Sequence, residues 1–598
     1  MVKSITLFTL LFLFLSSSCF GAYRYVDGGT IEASATWSGV DGESYTDSGP
    51  EFPGAGYGYG TIQNAVDAMS VGDTIYIRGG TYQPTAEGAN SAAVYIPTSL
   101  NGSSWDEGYF NTMASYPGEW AIIDGQYNAG PYGILVGAGD NWSGCGGTHA
   151  YWKFERLEFY RGTIRSDTSG GAGLQLRGGP FIIRYCYFND NFDDANDNNP
   201  GGLAFHILHD SIIEYNYFYH NGYNGGNGAN IIIYPDYKEE SGGYDDLDDI
   251  SCADRNNEIR YNYFIASNGS TASGHHIKYK GHQMLGPRLS PYGTTYQEYG
   301  VKIHHNIFAD AASDASVVIR GDFQQLYNNV FVGSSLAIMF AEHNTFNALK
   351  SVAYNNSIIG GYARIDNKTD CGACPASFST YLYGTAQPFD YSSYFINNLF
   401  DNFAVAGTYV FVIGAELPDT DAYRNDLVFN GNYIYRPSVN ASTPFSIGNP
   451  IAARGNEYGH LSSANVETEY GGNTYQKTSS EGSDNLMTGA SGADQYITRG
   501  THVVESGSPD VTIADGGIGG NHPYLSGVTL PSYIGATNPS DNDWVAGVLA
   551  LDATYFTNAT AGSTPSWIEA SGEGGGSGSM AMSGSGSMSM SGSGSASF

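Results

Sequence analysis

The sequence is poor in basic residues. Lys and Arg together number 25 of 598 residues, Asp and Glu number 59, and the formal net charge is −34. An acidic surface repels the phosphates of nucleic acids, so a nucleic-acid partner is not expected. The same carboxylates are oxygen donors of the kind that Ca²⁺ prefers.

Long apolar runs are also scarce. The one clear example is the start, MVKSITLFTLLFLFLSSSCFGA, where a short basic region precedes an apolar stretch and then small residues. This order is typical of a secretory signal, with cleavage near Gly21 or Ala22. The segment LSSSC also resembles a bacterial lipoprotein signal that would anchor the chain through Cys19, although Leu15 is one place too far from that cysteine. No later run is long enough to span a membrane. We therefore predict a secreted or cell-surface protein without a transmembrane segment.

Cysteines are few. The chain has six, and five remain if Cys19 leaves with the signal. An odd number leaves at least one thiol unpaired or paired between chains. Cys371 and Cys374 form a single CxxC, which suits a local disulfide in a secreted loop better than a zinc ribbon, because no second CxxC accompanies it.

Long helical patterns are nearly absent, and a strand-like phrase recurs instead. An alternating stretch that ends in Asn and an aromatic or aliphatic pair appears as IIEYNYF, EIRYNYF, VKIHHNIF, LYNNVF and YFINNLF. Its Asn stands at positions 216, 262, 306, 329, 356, 398 and 432. Repeats of this period indicate a solenoid, and alternation with period two indicates strands. The spacing is too long for tight hairpins, so we predict an all-β, right-handed parallel β-helix in which Asn forms the bends, since Asn tolerates the left-handed conformation.

The two ends of the solenoid have different sequences. The segment TIQNAVDAM (61–69) places Ile62, Ala65, Val66 and Met69 on one helical face, and we predict an N-terminal capping helix. We divide the chain into a signal peptide (1–21), the β-helix with loop insertions (22–445), an irregular or β extension (446–571) and a tail (572–598). The tail is rich in Gly, Ser and Met and is expected to be disordered.

The start of the solenoid resembles the pectate-lyase-like superfamily, whose members often have a helix and then GD-x-I-x-I-x-x-G-x-Y. The matching residues are Gly72, Asp73, Ile75, Ile77, Gly80 and Tyr82. The resemblance covers roughly residues 23–440 and implies a fold, not an activity.

The scarce basic residues gather on strands that precede the Asn-bearing ones. In GLQLRGG, AFHILHD, NIIIYPD, HHIKYKG and SVVIRGD, the residues before the closing Gly or Asp form one column: Arg177, His209, Pro235, Lys280 and Arg320. The preceding residues, which we predict to face inward, are Leu176, Leu208, Tyr234, Tyr279 and Ile319. His276 and Lys278 share the outward direction of Lys280. These residues are either a substrate-binding row or solvated surface charges paired with nearby Asp.

A basic row suits β-elimination in an acidic polysaccharide, which needs a neutralised carboxylate, a base and an acid. Two stretches resemble the polysaccharide lyase family that contains alginate lyases and chondroitinase B. The resemblance implies that Lys280 is the base and that Arg320, in SVVIRGDFQQLYNNVFVG, is the acid. The sequence departs from that family in the Ile277 to Lys280 spacing, in an insertion over 282–299, and in having Ser273 and His275 at the calcium-ligand positions.

A second candidate site is FNDNFDDANDNN (188–199). Asp193, Asp194 and Asp197 offer oxygen ligands for Ca²⁺, and they resemble the calcium cluster of another β-helix pectate lyase family. A GNG segment follows at 226–228, but Ile232 stands where that family has a catalytic Lys. The alternative is a polar loop without a metal.

Two functions remain open from the sequence. One is a secreted lyase acting on an acidic polysaccharide, and the other is a non-catalytic glycan-binding or cell-surface adhesive protein. The clustered Asp and His motifs of β-helix polygalacturonases are not evident, which disfavours a hydrolase.

Overall fold

The structure is a computed structural model. It describes residues 21–28, 35–49, 52–84, 93–97, 99–103, 109–127, 134–137, 150–164, 173–193, 201–222, 228–234, 256–265, 275–279, 301–309, 315–319, 324–332, 336–342, 351–359, 362–367, 393–401, 411–413, 427–430, 432–435, 445–447, 460–461, 474–476, 535–536 and 543–551.

Three long sheets form the molecule, and the chain visits them in turn. In the described residues the first sheet contains, in spatial order, Ala35–Thr36, Ser44–Asp47, Gly56–Tyr59, Tyr23–Val26, Thr74–Ile77, Asn111–Ser115, Trp152–Glu155, Phe181–Arg184, Ile212–Glu214, Asn257–Arg260, Val301–His304, Gln325–Tyr327, Val352–Tyr354, Ser393–Ile396 and Leu427–Asn430. The second sheet contains Gly80–Tyr82, Ala121–Asp124, Leu157–Tyr160, Tyr187–Asn189, Tyr217–Tyr219, Tyr263–Ile265, Ile307–Ala309, Val330–Val332, Ser357–Ile359, Leu399–Asp401, Tyr433–Tyr435 and Thr474–Gln476. The third sheet contains Val94–Tyr95, Leu135–Gly137, Leu174–Gly178, Gly201–Leu208, Ala229–Tyr234, His275–Tyr279, Ala315–Ile319, Leu336–Glu342, Tyr362–Asn367, Phe411–Ile413, Phe445–Ile447 and His460–Leu461.

Nearly all strand pairs are parallel, and each strand pairs with its counterpart one coil later. The predicted parallel β-helix is therefore confirmed, and crossovers between parallel strands are right-handed in almost all proteins. Antiparallel pairs occur only near the two ends of the described solenoid, at Ala35–Thr36, Ser44–Asp47 and His460–Leu461. A short extra pair joins Thr163–Ile164 to Phe192–Asp193.

The interior is a stack of like side chains. Phe188, Phe218, Phe264 and Phe308 lie one above the next with ring centroids 4.7–4.8 Å apart. This distance equals the spacing between neighbouring strands, so each coil places its ring directly on the ring of the previous coil. Burial of such rings is a main source of stability in the fold.

The repeated Asn forms a buried ladder where the first sheet turns into the second. The Nδ2 of Asn262 donates to Oδ1 of Asn306, and the Nδ2 of Asn306 donates to Oδ1 of Asn329, at 3.0 and 3.1 Å. The predicted bend is therefore confirmed, but the prediction put the left-handed conformation at the wrong residue. For the ladder positions from Asn216 to Asn398, the residue before the Asn has the positive φ, for example His305 at 54°. This frees the Asn side chain to link one coil to the next.

Two helices lie at the ends of the described chain. The predicted first helix is present as Ile62–Asp67, with Thr61 as its N-cap, and Ile62 and Val66 are buried in the same core cluster as Val26 and Ile75. Its function as a cap stays a prediction. The second helix, Asp543–Leu549, packs on the outer face of the second sheet. No described helix is long and apolar enough to cross a membrane.

Candidate functional site

The candidate site is the outer face of the third sheet. Five residues of this sheet are Cα partners in succession and point into the main core: Leu176, Phe205, Ile233, Tyr279 and Ile319. Alternation along a strand puts the following residue of each strand on the opposite face. The residues after these five are Arg177, His206, Tyr234, Lys280 and Arg320, which we call the basic row.

The structure changes two members of the predicted column. Arg177 is the Cα partner of His206, and His206 is the partner of Tyr234. The placement of His209 and Pro235 beside Arg177 was therefore wrong, and so was the inward direction of Tyr234. The cause is that the ends of the aligned sequence segments do not mark the register: the observed partner of Arg177 lies three positions before His209, and a one-residue shift follows, so that Gly178 pairs with Leu208. An alignment by the last residue of each strand could not detect this irregularity.

His209 lies beyond the row, just after strand Gly201–Leu208. Its backbone N–H donates to the carbonyl of Gly178 at 3.3 Å, and its Nδ1 is 3.1 Å from Oδ2 of Asp210. This position pairs His209 with a carboxylate at the turn. The structure therefore separates His209 from the strand positions of Arg177 and His206.

His276 is also placed differently from the prediction. It is buried, not on the outer face, and its Nδ1 is 2.9 Å from Nδ2 of Asn230 while its Nε2 is 3.0 Å from the carbonyl oxygen of Ala309. Since the carbonyl can only accept, His276 carries its proton on Nε2 and is neutral. Burial lowers the pKa of His276 to about 3. His276 thus belongs to a buried polar row that includes Asn221 and Asn230 and supports the corner of the coil.

Lys278 has the predicted direction. It lies between Ile277 and Tyr279, which belong to the core cluster, so its side chain starts from the outer face. Its Cα partners are Ile232 and Val318. Lys278 and Arg177 are nevertheless only 1% and 2% exposed. The described basic residues of this face therefore form a buried floor and not a solvated surface.

Two further residues of the floor were missed as functional candidates. The rings of His206 and Tyr234 stack with centroids 4.6 Å apart and planes 12° apart, and both side chains are buried. Tyr234 also packs with Ala204 and Ile232. The signal that could have revealed them is the unusual length of strand Gly201–Leu208, which makes room for an irregularity in register.

The predicted catalytic pair lies outside the described residues. Lys280 and Arg320 directly follow Tyr279 and Ile319, which are Cα partners on neighbouring strands of adjacent coils. The two strands that lead to Lys280 and Arg320 therefore lie one coil apart, as predicted, as far as Tyr279 and Ile319. Whether the two side chains meet stays a prediction.

The predicted calcium site is only partly covered by the structure. The backbone of Asp193 lies in the short strand Phe192–Asp193, whereas Asp194 and Asp197 fall outside the described residues. Across the described part of the chain, no group of three or more His, Cys, Asp or Glu side chains could hold a metal ion. The calcium site stays a prediction.

Cys186 stands at the first position of the Asn ladder. It is buried, forms no disulfide, and its backbone N–H donates to Oδ1 of Asn216 at 2.9 Å. Burial raises the pKa of its thiol to about 12. Cys186 therefore acts as a small core residue. The other cysteines of the mature chain lie outside the described residues.

Comparisons with known proteins agree with this fold. No family profile matches the chain. A pectate lyase, PEL9 of Emericella nidulans, is 33% identical over 171 residues, and the match covers 24% of this chain and 38% of that protein. The chain thus spans about two fifths of the length of this curated relative.

Solved structures with partial similarity include three polysaccharide-degrading enzymes. A mannuronic acid specific family 6 polysaccharide lyase from human gut microbiota is 14% identical, with a TM-score of 0.37 over 69% of this chain and 87% of that one. The family 6 alginate lyase AlyGC is 13% identical, with a TM-score of 0.33 over 69% and 55% of the two chains. A family 28 exopolygalacturonase of Yersinia enterocolitica is 9% identical, with a TM-score of 0.29 over 69% and 74%. The observed parallel β-helix and the pectate lyase relative support the pectate-lyase-like β-helix superfamily that the sequence resembles.

Proposed function

We propose that this protein is a secreted polysaccharide lyase that cleaves an acidic polysaccharide by β-elimination. The observation that carries the proposal is the basic row. Its first three members, Arg177, His206 and Tyr234, are matched in register on one sheet face. On the next two strands Tyr279 and Ile319 are Cα partners, and Lys280 and Arg320 follow them in the sequence. The pectate lyase relative makes polygalacturonate the first substrate to test.

The reaction needs three functions, and we assign two of them, the base and the acid, to Lys280 and Arg320. A cation withdraws charge from the uronate carboxylate, so the proton on the adjacent carbon becomes more acidic. Lys280, as the neutral amine, removes this proton. A double bond then forms as the bond to the glycosidic oxygen breaks. Arg320 donates a proton or a hydrogen bond to the leaving oxygen.

The buried floor supports this chemistry without touching the polymer. Arg177 and Lys278 are too deeply buried to contact a substrate, but their positive charge favours the neutral, proton-accepting form of Lys280. Lys278, two residues from Lys280 in the sequence, has the larger effect, and Arg177, three strands away, has the smaller one. We therefore assign them as positioning residues, which revises their predicted function in substrate binding. The stacked pair of His206 and Tyr234 keeps the floor rigid between the strands of Arg177 and Lys278.

Calcium is an additional component of the proposal. Asp193, Asp194 and Asp197 have the donor chemistry that Ca²⁺ requires, and a bound Ca²⁺ would attract and neutralise uronate carboxylates. If the ion takes part, removing it with a chelator reduces turnover and adding it back restores turnover.

A second function has one observation in its favour. Arg177, His206, Tyr234 and Lys278 are all buried, so none of these described side chains is exposed to act on a glycan, which suits a solenoid that does not cleave glycans. In that case the protein retards in a gel that contains acidic glycan, forms no product, and behaves the same after Lys280→Ala.

The test is incubation with polygalacturonate, alginate and chondroitin sulfate, each with and without Ca²⁺. Elimination leaves an unsaturated sugar at the new non-reducing end, and this end absorbs ultraviolet light. We expect a steady rise in absorbance with at least one of the three polymers. A flat trace with all of them, in both calcium conditions, contradicts the proposed function.

A further inference from the structure

The outer face of the second sheet changes character along the solenoid. In later coils it carries aliphatic residues such as Ile307 and Val330, which pack under Val545 and Val548 of the C-terminal helix. In earlier coils it carries Tyr160, Asn189 and Tyr219, which are Cα partners on three successive strands. Tyr219 is 39% exposed, among the most exposed large side chains of the described residues. The early half of the face thus presents an aromatic and polar surface.

A rim of hydrogen-bonding residues borders this surface. Arg161, Asp190 and His220 directly follow the three strand residues, and all three have a positive φ of 52–56°. This shared backbone conformation brings their side chains to the same edge, where they remain partly exposed. The guanidinium carbon of Arg161 lies 4.6 Å from the ring centroid of Tyr160. We call Tyr160, Arg161, Asn189, Asp190, Tyr219 and His220 the tyrosine platform.

The charges of the platform are balanced internally. Arg161 forms a salt bridge to Asp124, and Nδ1 of His220 is 2.6 Å from Oδ1 of Asp190. Glu158 lies beside them, and its pKa is raised by burial and by the carboxylates of Asp124 and Asp190. Each cation already faces a carboxylate, and an extra carboxyl group remains. The platform therefore does not favour an anionic ligand.

We propose that the tyrosine platform binds a neutral glycan. The C–H faces of uncharged sugar rings pack on tyrosine rings, and their hydroxyl groups donate to carboxylates and accept from amide and guanidinium groups. Tyr160 and Tyr219 are two strand spacings apart, about 10 Å, which leaves room for more than one sugar unit. The surface combines aromatic area with a few fixed polar groups, as small-molecule sites do.

This site is distinct from the basic row. It lies on the second sheet, whereas the basic row lies on the third. We expect the platform to bind uncharged glycans and the basic row to bind an acidic polysaccharide. It would attach the protein to neutral polymers that accompany an acidic substrate. The inference goes beyond the proposed function and does not depend on turnover.

The test is electrophoresis in gels that contain galactan, arabinan, xylan or mannan, with polygalacturonate as the charged comparison. We expect at least one neutral polymer to retard the protein, with binding about tenfold weaker for Tyr219→Ala and unchanged for Tyr219→Phe. Tyr57→Ala is the matched control, because Tyr57 is 47% exposed and lies in strand Gly56–Tyr59, outside the platform. Lys280→Ala should bind neutral polymer like the wild type, which separates this site from the row.

Three results overturn the inference. These are no retardation by any neutral polymer, retardation by polygalacturonate alone, and a Tyr219→Ala protein that binds as tightly as the wild type. If Tyr219→Ala does not fold, Asp190→Ala provides the same readout, because it removes an acceptor for sugar hydroxyls from the rim. Equal melting temperatures of variant and wild type show that the loss is one of binding.

Discussion

The outer faces of the first and third sheets each carry a row of residues matched across coils, but the two rows differ in charge. On the first sheet Glu155, Arg184, Glu214 and Arg260 are successive Cα partners, and acid alternates with base. On the third sheet the described members of the basic row are Arg177, His206 and Tyr234, and none of them is a carboxylate. The first row neutralises itself through these pairs, whereas the basic row is the part of the molecule that we propose acts on an acidic substrate.

The contacts of the first row show how the self-neutralisation works. Arg184 is 3.3 Å from Glu155, and Arg260 is 3.0 Å from Glu214. Burial of Glu155 opposes its ionisation, but Lys153 and Arg184 outweigh this effect and lower its pKa to about 2. Such a ladder holds neighbouring coils in register. The first-sheet row is thus matched across coils like the basic row, but its ion pairs stabilise the fold.

The largest expected difference between the rows is in turnover. Lys280→Ala removes the proposed base, and general bases contribute about 10²–10⁴-fold to rate. We expect kcat to fall by about 10³-fold in the ultraviolet product assay. Lys302→Ala is the matched control on the first sheet, where Lys302 faces Glu258 at 4.0 Å, and its kcat should stay within twofold of the wild type. Similar rates for the two variants would remove Lys280 from the mechanism.

Smaller effects are expected from replacing Arg177 and Arg184, which lie in the same coil but on different sheets: the first should change the pH dependence of the rate and the second the stability. Arg177→Ala removes a positive charge three strands away from the strand that precedes Lys280, so Lys280 loses its proton slightly less readily and the pH at which the rate rises should move upward by a small amount. Arg184→Ala leaves Glu155 and Glu214 without the cation between them, which should cost roughly 1–2 kcal/mol of unfolding free energy. We expect that second variant to keep the wild-type pH profile. The measurements are rate against pH and urea unfolding, and an unmoved profile for Arg177→Ala would contradict the function of the floor.

The smallest effect concerns the acid stability of the first row. The pKa of Glu155 is lowered in the folded state, so the stabilisation is complete above the unfolded value of about 4.5 and is lost as the pH falls toward 2. Glu155→Gln lacks this carboxylate. Its unfolding free energy should fall less steeply than that of the wild type between pH 4.5 and pH 2, by on the order of 1 kcal/mol. Parallel curves for the two proteins in that window would show that Glu155 is not stabilised by its neighbours.

Much of the fold could be predicted from the sequence because the interior repeats. A buried position that must match the coils above and below it keeps the same residue type, as Asn262, Asn306 and Asn329 do. This repetition can be recognised in the amino-acid sequence. The strands and their parallel order followed from this repetition, and the N-terminal helix followed from the apolar face of the segment TIQNAVDAM. The left-handed conformation was assigned to the wrong residue because each bend contains both the ladder Asn and the residue before it, and the repeat alone does not show which of the two has the positive φ.

The site was less predictable because it depends on irregularities. The register of the strands put His206, and not His209, level with Arg177, because the ends of the sequence segments do not mark the pairing. The buried corner that contains Asn230 turned His276 inward, although simple alternation placed it outside. Burial of Lys278 and Arg177 could not be read from alternation either, since the pattern gives the direction of a side chain and not what covers it. Local deviations of this kind are common where strands serve more than packing.

The most direct test of the account is the mass of the product formed from polygalacturonate in water enriched in oxygen-18. Elimination breaks the glycosidic bond without consuming water, so the account predicts unsaturated oligosaccharides that carry no solvent oxygen at the cleaved bond. Saturated products with one incorporated solvent oxygen would mean hydrolysis, and they would contradict the proposal that the basic row performs β-elimination.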